Sequence, residues 1–221
     1  IQSCFKKANE IDDYIDAHFD YAFDEKYGYK TTFPTNTGTG MKAGYTLHLP
    51  SLSDARRLND ISAELGRFGL KFRTVYGDGQ NGYGNLYQIS TQKTLGQDER
   101  EVIKDLDDIV LQIVNQEKEQ REHFYKKDKI QMDDEIYKSY GVLKYARKLS
   151  LKDSMVLISE LMTGISLGVL QFAHNGRYNI NELIMDIQPA VLRQNSGKAM
   201  SVAETDVLRA EYIRKYLPEI I

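Results

Sequence analysis

The order in which strand and helix patterns occur along this 221-residue chain constrains its fold more than any other feature. Apolar and polar residues alternate with a period of two at residues 45–49 and 70–76, and a third strand is expected at residues 85–90. From residue 98 onward, apolar residues recur three and four positions apart, as they do on one face of a helix. Because strands come first and helices follow, without βαβ alternation, the sequence predicts an α+β fold.

A helix is also expected at the amino terminus, running to about Phe19. Its apolar residues fall on one stripe: Phe5, Ala8, Ile11, Ile15 and Phe19. The next segment, residues 27–40, is rich in Thr and Gly, and it predicts a short strand followed by a glycine-containing loop.

Capping patterns mark several later helices. Ser51 with Asp54 resembles a capping box, and a helix is expected from there through Phe68, ended by Gly69. Further helices are predicted at about residues 98–113, 133–147, 152–164, 181–187 and 203–217, with capping pairs at residues 150 and 153 and at 201 and 204. The charged run at residues 118–129 is interpreted as a solvated helix end.

Composition excludes several classes of function. The net charge of −3 argues against a general nucleic-acid-binding surface. Cys4 is the single cysteine, so a disulfide framework and a thiolate zinc site are excluded within one chain, and a reducing, cytoplasmic location is expected. The four histidines lack ligand spacing, so no metal site is predicted. The longest apolar stretch, near residues 165–173, is too short to span a bilayer.

Two glycine-rich loops could carry chemistry. The loop at residues 37–40 lacks the Gly-Lys-Ser/Thr ending of a Walker A motif. The loop at residues 77–82 matches G-x-G-x-x-G, but a dinucleotide fingerprint requires a helix directly afterwards, and a strand is predicted there. This second loop is therefore interpreted as a wide hairpin connection.

Charged residues flank both loops. Lys42 lies at the start of one predicted strand, Arg73 lies on the polar face of another, and Asp78 follows it in the loop. Two cations beside glycine-rich backbone form a phosphate cradle, with the carboxylate as a base or an orienting group. The alternative is that Arg73 and Asp78 are ordinary exposed sheet and turn residues, and spacing alone favours this alternative.

Several motifs resemble one family. The run YGYKTTFPTNTGTGMKAGYTLHLPSL, at residues 27–52, is similar to the active-site segment of the ATP:guanidino phosphotransferases, the creatine and arginine kinase superfamily. Residues 72–96, FRTVYGDGQNGYGNLYQISTQKTLG, resemble the bacterial protein arginine kinase branch. Residues 136–150, 157–170 and 204–217 also resemble that branch, so the resemblance covers nearly the whole chain in order.

The resemblance implies a guanidino kinase catalytic domain over residues 1–221, with a largely antiparallel sheet flanked by helices. It implies transfer of the γ-phosphoryl of ATP, with Mg²⁺ held through the nucleotide, to arginine side chains of proteins. Asp78 falls at the family's active-site Glu, Arg73 in a catalytic stretch, and Phe33 at the reactive Cys. The nucleotide-contacting positions are Lys42, Ala43, Gly44, Tyr45, Thr46, Arg73, Thr74, Val75, Tyr76, Gly77 and Asp78.

Departures from the family pattern leave catalytic activity open. Phe33 replaces a thiol with a ring that cannot hydrogen-bond to a guanidinium, and Lys42 loses the bidentate fork of an Arg. Asp78 is one methylene shorter than Glu, and Thr91 replaces an Asn. In the tail, a phosphoarginine-binding motif is matched at Asp206, Arg209 and Ala210, but Thr205 stands where its first Arg belongs, which makes that pocket degenerate.

The family's acidic Asn-Glu-Glu-Asp-His segment, further arginines and a small helical domain precede the matched region. The chain also lacks an initiating Met, so it is expected to be a fragment that folds without catalysing. By resemblance, the expected partners are arginine-bearing proteins, an activator protein, Clp protease machinery and a second copy in a homodimer, without nucleic acid or membrane. Two rivals remain: a degenerate phosphoarginine- or partner-binding module, and a small-molecule phosphagen kinase.

Overall fold

A computed structural model describes residues 1–78, 82–172 and 179–221. The strands described are β1 (Phe23–Asp24), β2 (Gly28–Tyr29), β3 (Gly44–His48), β4 (Leu70–Thr74) and β5 (Leu86–Thr91). The helices described are α1 (Gln2–Asp16), α2 (Pro50–Asp54), α3 (Leu58–Arg67), α4 (Glu99–Lys127), α5 (Lys129–Tyr145), α6 (Leu151–Ser166), α7 (Ile180–Asp186), α8 (Pro189–Ser196) and α9 (Val202–Tyr216), with a 3₁₀ turn at Pro34–Asn36. This is the α+β arrangement that the pattern order predicts.

Two compact units divide the chain. Unit 1 comprises Ile1–Val75 and Tyr87–Lys118, and unit 2 comprises Tyr76–Leu86 and Glu119–Ile221. Each unit has its own cluster of buried apolar side chains. The expectation of one catalytic domain over the whole chain stays a prediction.

The sheet of unit 1 has the order β3-β5-β4, with β5 in the centre and antiparallel to β4. Phe72 pairs with Ile89 on the face that packs on the core, and Arg73 pairs with Gln88 on the opposite face. The buried core side chains are Leu49, Leu52, Ile61, Leu65, Leu70, Tyr87, Ile89, Leu106, Val110 and Ile113. One face of the sheet is therefore apolar, and the other carries the polar residues of the alternating pattern.

Unit 2 is helical, apart from its short segment Tyr76–Leu86. Helices α5 and α6 approach closely at Gly164, where an added Cβ would lie 2.6 Å from Ile136 Cγ2. The buried apolar side chains around this contact come from α5, α6, α7 and α9: Ile136, Leu143, Met155, Ile158, Leu161, Leu183, Ala210 and Ile213. Both capping pairs are confirmed, since Ser150 accepts from the Asp153 N–H and Ser201 forms a complete capping box with Glu204.

The predicted helix over residues 51–68 is wrong in its continuity and in its cap. It is two helices, α2 and α3, separated at Arg56, whose φ of 57° is left-handed. Ser51 lies inside α2 and is not its N-cap residue, which is Leu49 and makes no side-chain capping bond. Instead, the N–H groups of Ser51 and Leu52 donate to the carboxylate of Glu117. Phe68, predicted on the buried stripe, is 69% exposed because the helix ends before it.

Helix α1 forms as predicted but ends at Asp16, before the expected boundary near Phe19. None of its residues is buried, and Ile11 is exposed. The charged run at residues 118–129 forms the end of α4 and is mostly exposed, as expected, although Arg121 within it is buried and donates to Ser166 Oγ. Among the described residues, no helix is long and apolar enough to cross a bilayer.

Candidate functional site

Strand β3 holds the first of the two predicted nucleotide stretches. Lys42, Gly44 and Thr46 are exposed, and they alternate with the partly buried Ala43 and Tyr45. At Gly44 an added Cβ would lie 2.8 Å from the carbonyl oxygen of the neighbouring strand's Ile89, so only glycine permits this close approach. Gly44 is also exposed and has no side chain, so the start of β3 is flat there and its backbone is accessible beside Lys42.

Thr91 fixes the start of this stretch to strand β5. Its hydroxyl accepts a hydrogen bond from the Ala43 N–H at 3.1 Å, and its own N–H donates to the Ala43 carbonyl at 2.9 Å. The side chain of Thr91 is buried. The residue that departs from the family's Asn thus has a structural role beneath the exposed face.

Arg73 lies on the exposed face of β4. Its Nε donates to Gln88 Oε1 of β5 at 2.7 Å, which holds the guanidinium against the sheet surface. Lys71 is exposed on the same face, two residues earlier, and Ser90 pairs opposite it. Sequence reasoning included Lys71 in the alternation without assigning it a role, and it missed Gln88, which only strand register could reveal.

The positive charges of this face are uncompensated. Within the described parts of the chain, Lys42, Lys71 and Arg73 have no carboxylate partner. Lys42 also lines a cavity of about 180 Å³, together with Cys4, whereas Arg73 does not line it. A face with free cations and a flat strand start can accept the oxygens of a polyphosphate.

The remaining residues of the second stretch are divided between the units. Thr74 and Val75 end the unit 1 segment, while Tyr76, Gly77 and Asp78 belong to unit 2. Tyr76 stacks on Tyr83 with ring centroids 6.1 Å apart, and burial together with Tyr83 raises the pKa of Tyr76.

Asp78 is exposed at the start of the loop, and Gly77 has a positive φ of 87°. Residues 79–81 of the G-x-G-x-x-G match lie outside the described residues, and strand β5 follows the loop, as expected.

Phe33 lies just before the 3₁₀ turn and is 67% exposed. Its carbonyl accepts from the Thr31 hydroxyl at 2.6 Å and from the Asn36 N–H at 2.9 Å. The loop beyond it is fastened by Thr94, whose hydroxyl donates to the Thr37 carbonyl at 2.7 Å. The backbone on both sides of Phe33 is therefore well anchored, while its side chain is an exposed apolar ring.

The tail motif is buried in unit 2. Arg209, 1% exposed, donates through Nε to the Ile187 carbonyl at 3.0 Å, and through one terminal nitrogen to the Leu149 carbonyl at 2.8 Å and to Asp206 Oδ1 at 2.6 Å. Thr205 is buried and donates to the Ser201 carbonyl at 2.8 Å, and Ala210 is fully buried. Nε and one terminal nitrogen of Arg209, and the Thr205 hydroxyl, are thus bonded within this chain.

A metal site is not apparent from the donor set. Among the described residues, no group of three or more His, Cys, Asp and Glu side chains could hold a metal ion. His174, one of the four histidines, lies outside the described residues.

The chain matches two known sequence families in succession. The family described as ATP:guanido phosphotransferase, C-terminal catalytic domain, matches residues 1–120, more than half of the chain. The chain belongs to the ATP:guanido phosphotransferase family. A second family, described as the protein-arginine kinase McsB C-terminal domain, matches residues 129–220 of this guanido phosphotransferase.

Curated relatives of this guanido phosphotransferase are named protein-arginine kinases. The Bacillus subtilis protein is 40% identical over 96% of this chain, and the Bacillus pumilus protein is 39% identical over 98%. The Clostridium kluyveri protein is 39% identical over 98% of this chain. The alignments cover 58% of the Bacillus subtilis relative, 59% of the Bacillus pumilus relative and 62% of the Clostridium kluyveri relative, so the chain spans about three fifths of their length.

Proposed function

We propose that this chain supplies the nucleotide-binding face of a protein-arginine kinase. The observation that carries the proposal is the exposed, uncompensated guanidinium of Arg73, held on the sheet by Gln88 and accompanied by Lys71 and Lys42. Arginine and lysine side chains offset the charge of a triphosphate and the charge that develops during phosphoryl transfer. The names of the relatives supply the acceptor, an arginine side chain of a protein.

ATP fits the donor set of this face. The planar guanidinium of Arg73 can bind two phosphate oxygens, and Lys42 and Lys71 add point charges beside the flat start of β3. Mg²⁺ would be bound through the phosphate oxygens of the nucleotide, in keeping with its preference for phosphate and water ligands. Gly44, which is exposed and has no side chain, offers the nucleotide accessible backbone beside Lys42.

The reaction moves one phosphoryl group. A bond forms between an arginine side-chain nitrogen and the γ-phosphorus, the bond from that phosphorus to the β-bridging oxygen breaks, and ADP leaves. The attacking nitrogen loses a proton, because a protonated guanidinium is a poor nucleophile. Asp78, the only carboxylate in either of the two nucleotide stretches, is the proposed group that orients the guanidinium and assists this proton loss.

The proposal extends to the location and the partners of the protein. We propose that the protein is a cytoplasmic kinase and that its phosphorylated products are marked for degradation by a Clp protease. We further propose that an activator protein regulates the kinase and that the kinase forms a homodimer. These partners rest on the family branch.

A catalytically degenerate binding module is the second candidate, and Phe33 favours it. An exposed phenyl ring at the family's thiol position can pack against a partner but cannot hydrogen-bond to a guanidinium. Arg209 argues against phosphoarginine as the ligand of such a module, since its side chain is buried and already donates to three oxygens. A partner protein is then the more suitable ligand.

A titration with a fluorescent ATP analogue tests the nucleotide face. Arg73→Gln should weaken binding by about tenfold or more, since hydrogen bonds to charged groups contribute about 1.5–3 kcal/mol. Arg67→Gln, which removes an equal charge from the exposed end of α3, is the matched control and should stay within about twofold. Equal losses in both variants, or no binding by the parent chain, would contradict the proposal.

Phosphorus NMR separates the kinase from the binding module. In a full-length protein, acid-labile phosphoarginine should form on an arginine-rich substrate protein, and Phe33→Cys should raise its rate. If nucleotide binds but neither form produces phosphoarginine, the binding module is the better description. Replacing the substrate protein with free arginine tests the small-molecule phosphagen kinase.

A further inference from the structure

A cavity of about 370 Å³ lies in unit 1, apart from the residues assigned to the nucleotide. Its walls come from α1, from residues around the β1–β2 hairpin, from the glycine loop at residues 39–41, and from the start of α4. This volume is in the range of about 300–1,000 Å³ that is usual for small-molecule sites. Two carboxylates, Asp12 and Glu99, line it together with the rings of Tyr21 and Tyr29.

Asp12 is held in place by the two tyrosines. The hydroxyl of Tyr21 donates to Oδ1 and that of Tyr29 donates to Oδ2, each at 3.0 Å. The rings meet edge to face, with centroids 5.3 Å apart. Desolvation and the bond to Asp12 raise the pKa of Tyr29 to about 12, so it remains a donor at neutral pH. Each oxygen of Asp12 keeps a second lone pair for a ligand.

Glu99 lacks comparable support. It is half-buried in the first turn of α4, and within the described residues it forms no hydrogen bond or ion pair. Burial raises the pKa of Glu99, and the charges of Asp12 and Asp98 add to that effect. The Asp98 carboxylate accepts hydrogen bonds from the N–H groups of Arg100 and Glu101, so it caps the start of α4.

The lysine that lines the cavity already has a carboxylate partner. Lys30 lines the cavity, but its Nζ pairs with Asp24 Oδ2 at 3.4 Å. Within the part of the chain that the structure describes, Asp12 and the partly desolvated Glu99 therefore form no ion pair. An external cation would relieve their mutual repulsion and satisfy the free oxygens of Glu99.

We propose that this cavity binds a guanidinium group, carried either by a protein arginine or by a free arginine-like molecule, with Asp12 and Glu99 as its carboxylate partners. A guanidinium presents five N–H donors in one plane, so it can reach two carboxylates at once. Its flat, weakly hydrated surface also suits tyrosine rings better than a compact ammonium does. None of the residues assigned to the acceptor or the nucleotide is among these partners, so the cavity would be a second guanidinium site.

NMR titration of the ¹⁵N-labelled chain with N-acetyl-arginine amide tests the proposal. The backbone amides of Thr39, Gly40 and Met41 should shift, because these residues line the cavity. The citrulline counterpart, which has the same shape without the charge, should give no saturable shift. If citrulline binds as well as arginine, or if the lysine counterpart binds more tightly than arginine, the assignment is overturned. Free arginine serves as a parallel arm: binding only by the capped amide assigns the site to protein-borne arginine, and equal binding supports either source.

Glu99→Gln provides the matched variant, since it keeps size and hydrogen bonding but removes the charge. It should weaken binding of the arginine amide at least about fivefold, while Glu101→Gln, in the same helical turn but exposed, should leave it unchanged. Binding of the arginine amide to the parent chain should also weaken as the pH is lowered, because Glu99 takes up a proton. Unchanged binding by Glu99→Gln would overturn the proposal. Nucleotide titrations of the same variant should match the parent, so a failure here is distinguishable from a failure at the sheet face.

Discussion

Glu117 shows how a single buried charge determines a local turn of the chain. Its side chain is 3% exposed, and its two carboxylate oxygens accept the N–H groups of Ser51 and Leu52 at 3.1 and 2.9 Å. These N–H groups lie in the first turn of α2, where the helix offers unpaired donors and a partial positive charge. A residue 65 positions away thus supplies the cap that the local sequence was expected to provide.

Glu117→Gln should therefore lower the stability of the protein substantially. The amide keeps one acceptor oxygen but turns a donor toward a backbone N–H, which leaves a buried donor unsatisfied. The expected loss is about 2–4 kcal/mol, measured as a fall in Tm and in the urea midpoint. Glu122→Gln, an exposed position on the same helix, should change stability by less than about 0.5 kcal/mol. Equal effects in the two variants would show that Glu117 has no special role.

Arg209 has a similar role in unit 2. Its guanidinium joins α9 to the end of α7 through Ile187 and to the segment before α6 through Leu149. Arg209→Lys keeps the charge but cannot reach all three acceptors, so we expect a loss of about 2–4 kcal/mol in a thermal or urea denaturation. Lys215→Gln, in the exposed last turn of α9, is the control. If Arg209→Lys binds a phosphoarginine peptide no differently from the parent, the structural role is supported further; a selective loss of peptide binding without loss of stability would contradict it.

At the scale of elements, strand β3 is fastened to α4 by the hydrogen bond from the Tyr45 hydroxyl to Asp107 Oδ1. This bond, followed by desolvation and the charge of Asp107, raises the pKa of Tyr45 from 10.0 to about 12. Between about pH 10 and about pH 12, Tyr45 keeps its hydroxyl proton in the folded protein but has lost it in the unfolded chain. The stabilisation is therefore complete below about pH 10 and is lost as the pH rises toward about 12.

Tyr45→Phe should reduce this alkaline sensitivity. Between pH 9 and pH 11 the fall in Tm of the variant should be smaller than that of the parent chain, while its Tm at pH 7 should be lower because the bond is missing. Tyr145→Phe, at an exposed position, should reproduce the parent's pH dependence. A parallel fall in all three proteins would show that Tyr45 does not titrate as described.

Some features of single helices and strands could be predicted from local sequence patterns alone. The alternation at residues 70–74 predicted which face of β4 is exposed, and the capping pairs at Ser150 and Ser201 predicted two helix starts, because these signals act over a few residues. Helix α8 was missed, although Pro189 at its first turn and Gly197 after its end, with a φ of 67°, mark it. The break at Arg56, an exposed residue with a left-handed backbone, had no such signal in the sequence.

At the scale of the whole molecule, the chain has two separate buried clusters. Ile89 and Leu161 are each fully buried, the first in unit 1 and the second in unit 2. Truncation of either side chain to Ala should cost about 2–5 kcal/mol through lost burial and a residual cavity. Because the clusters share no residue, we expect each loss to be confined to its own unit.

Hydrogen–deuterium exchange measures this directly. Ile89→Ala should increase exchange in β3 and β4 and leave α6 near the parent rate, and Leu161→Ala should do the reverse. Val156→Ala, a half-exposed position on α6, serves as a control with little effect in either unit. A uniform increase across the chain in either core variant would show a single cooperative unit instead.

The sequence alone determined the α+β class, the strand faces and the family, because alternation, helical spacing and contiguous motifs are local properties of the chain. Tertiary structure alone decided which charges are free. Alternation predicted that Arg73 is exposed on the sheet, but only the structure shows that it bonds to Gln88 and that Arg209 is buried among three acceptors from other segments and its own helix. The same holds for Glu117 and Glu99 on one helix: the first binds the start of α2, and the second lines a cavity and has no partner among the described residues. The reason is physical, since the state of a charge depends on donors and acceptors that distant segments bring to it.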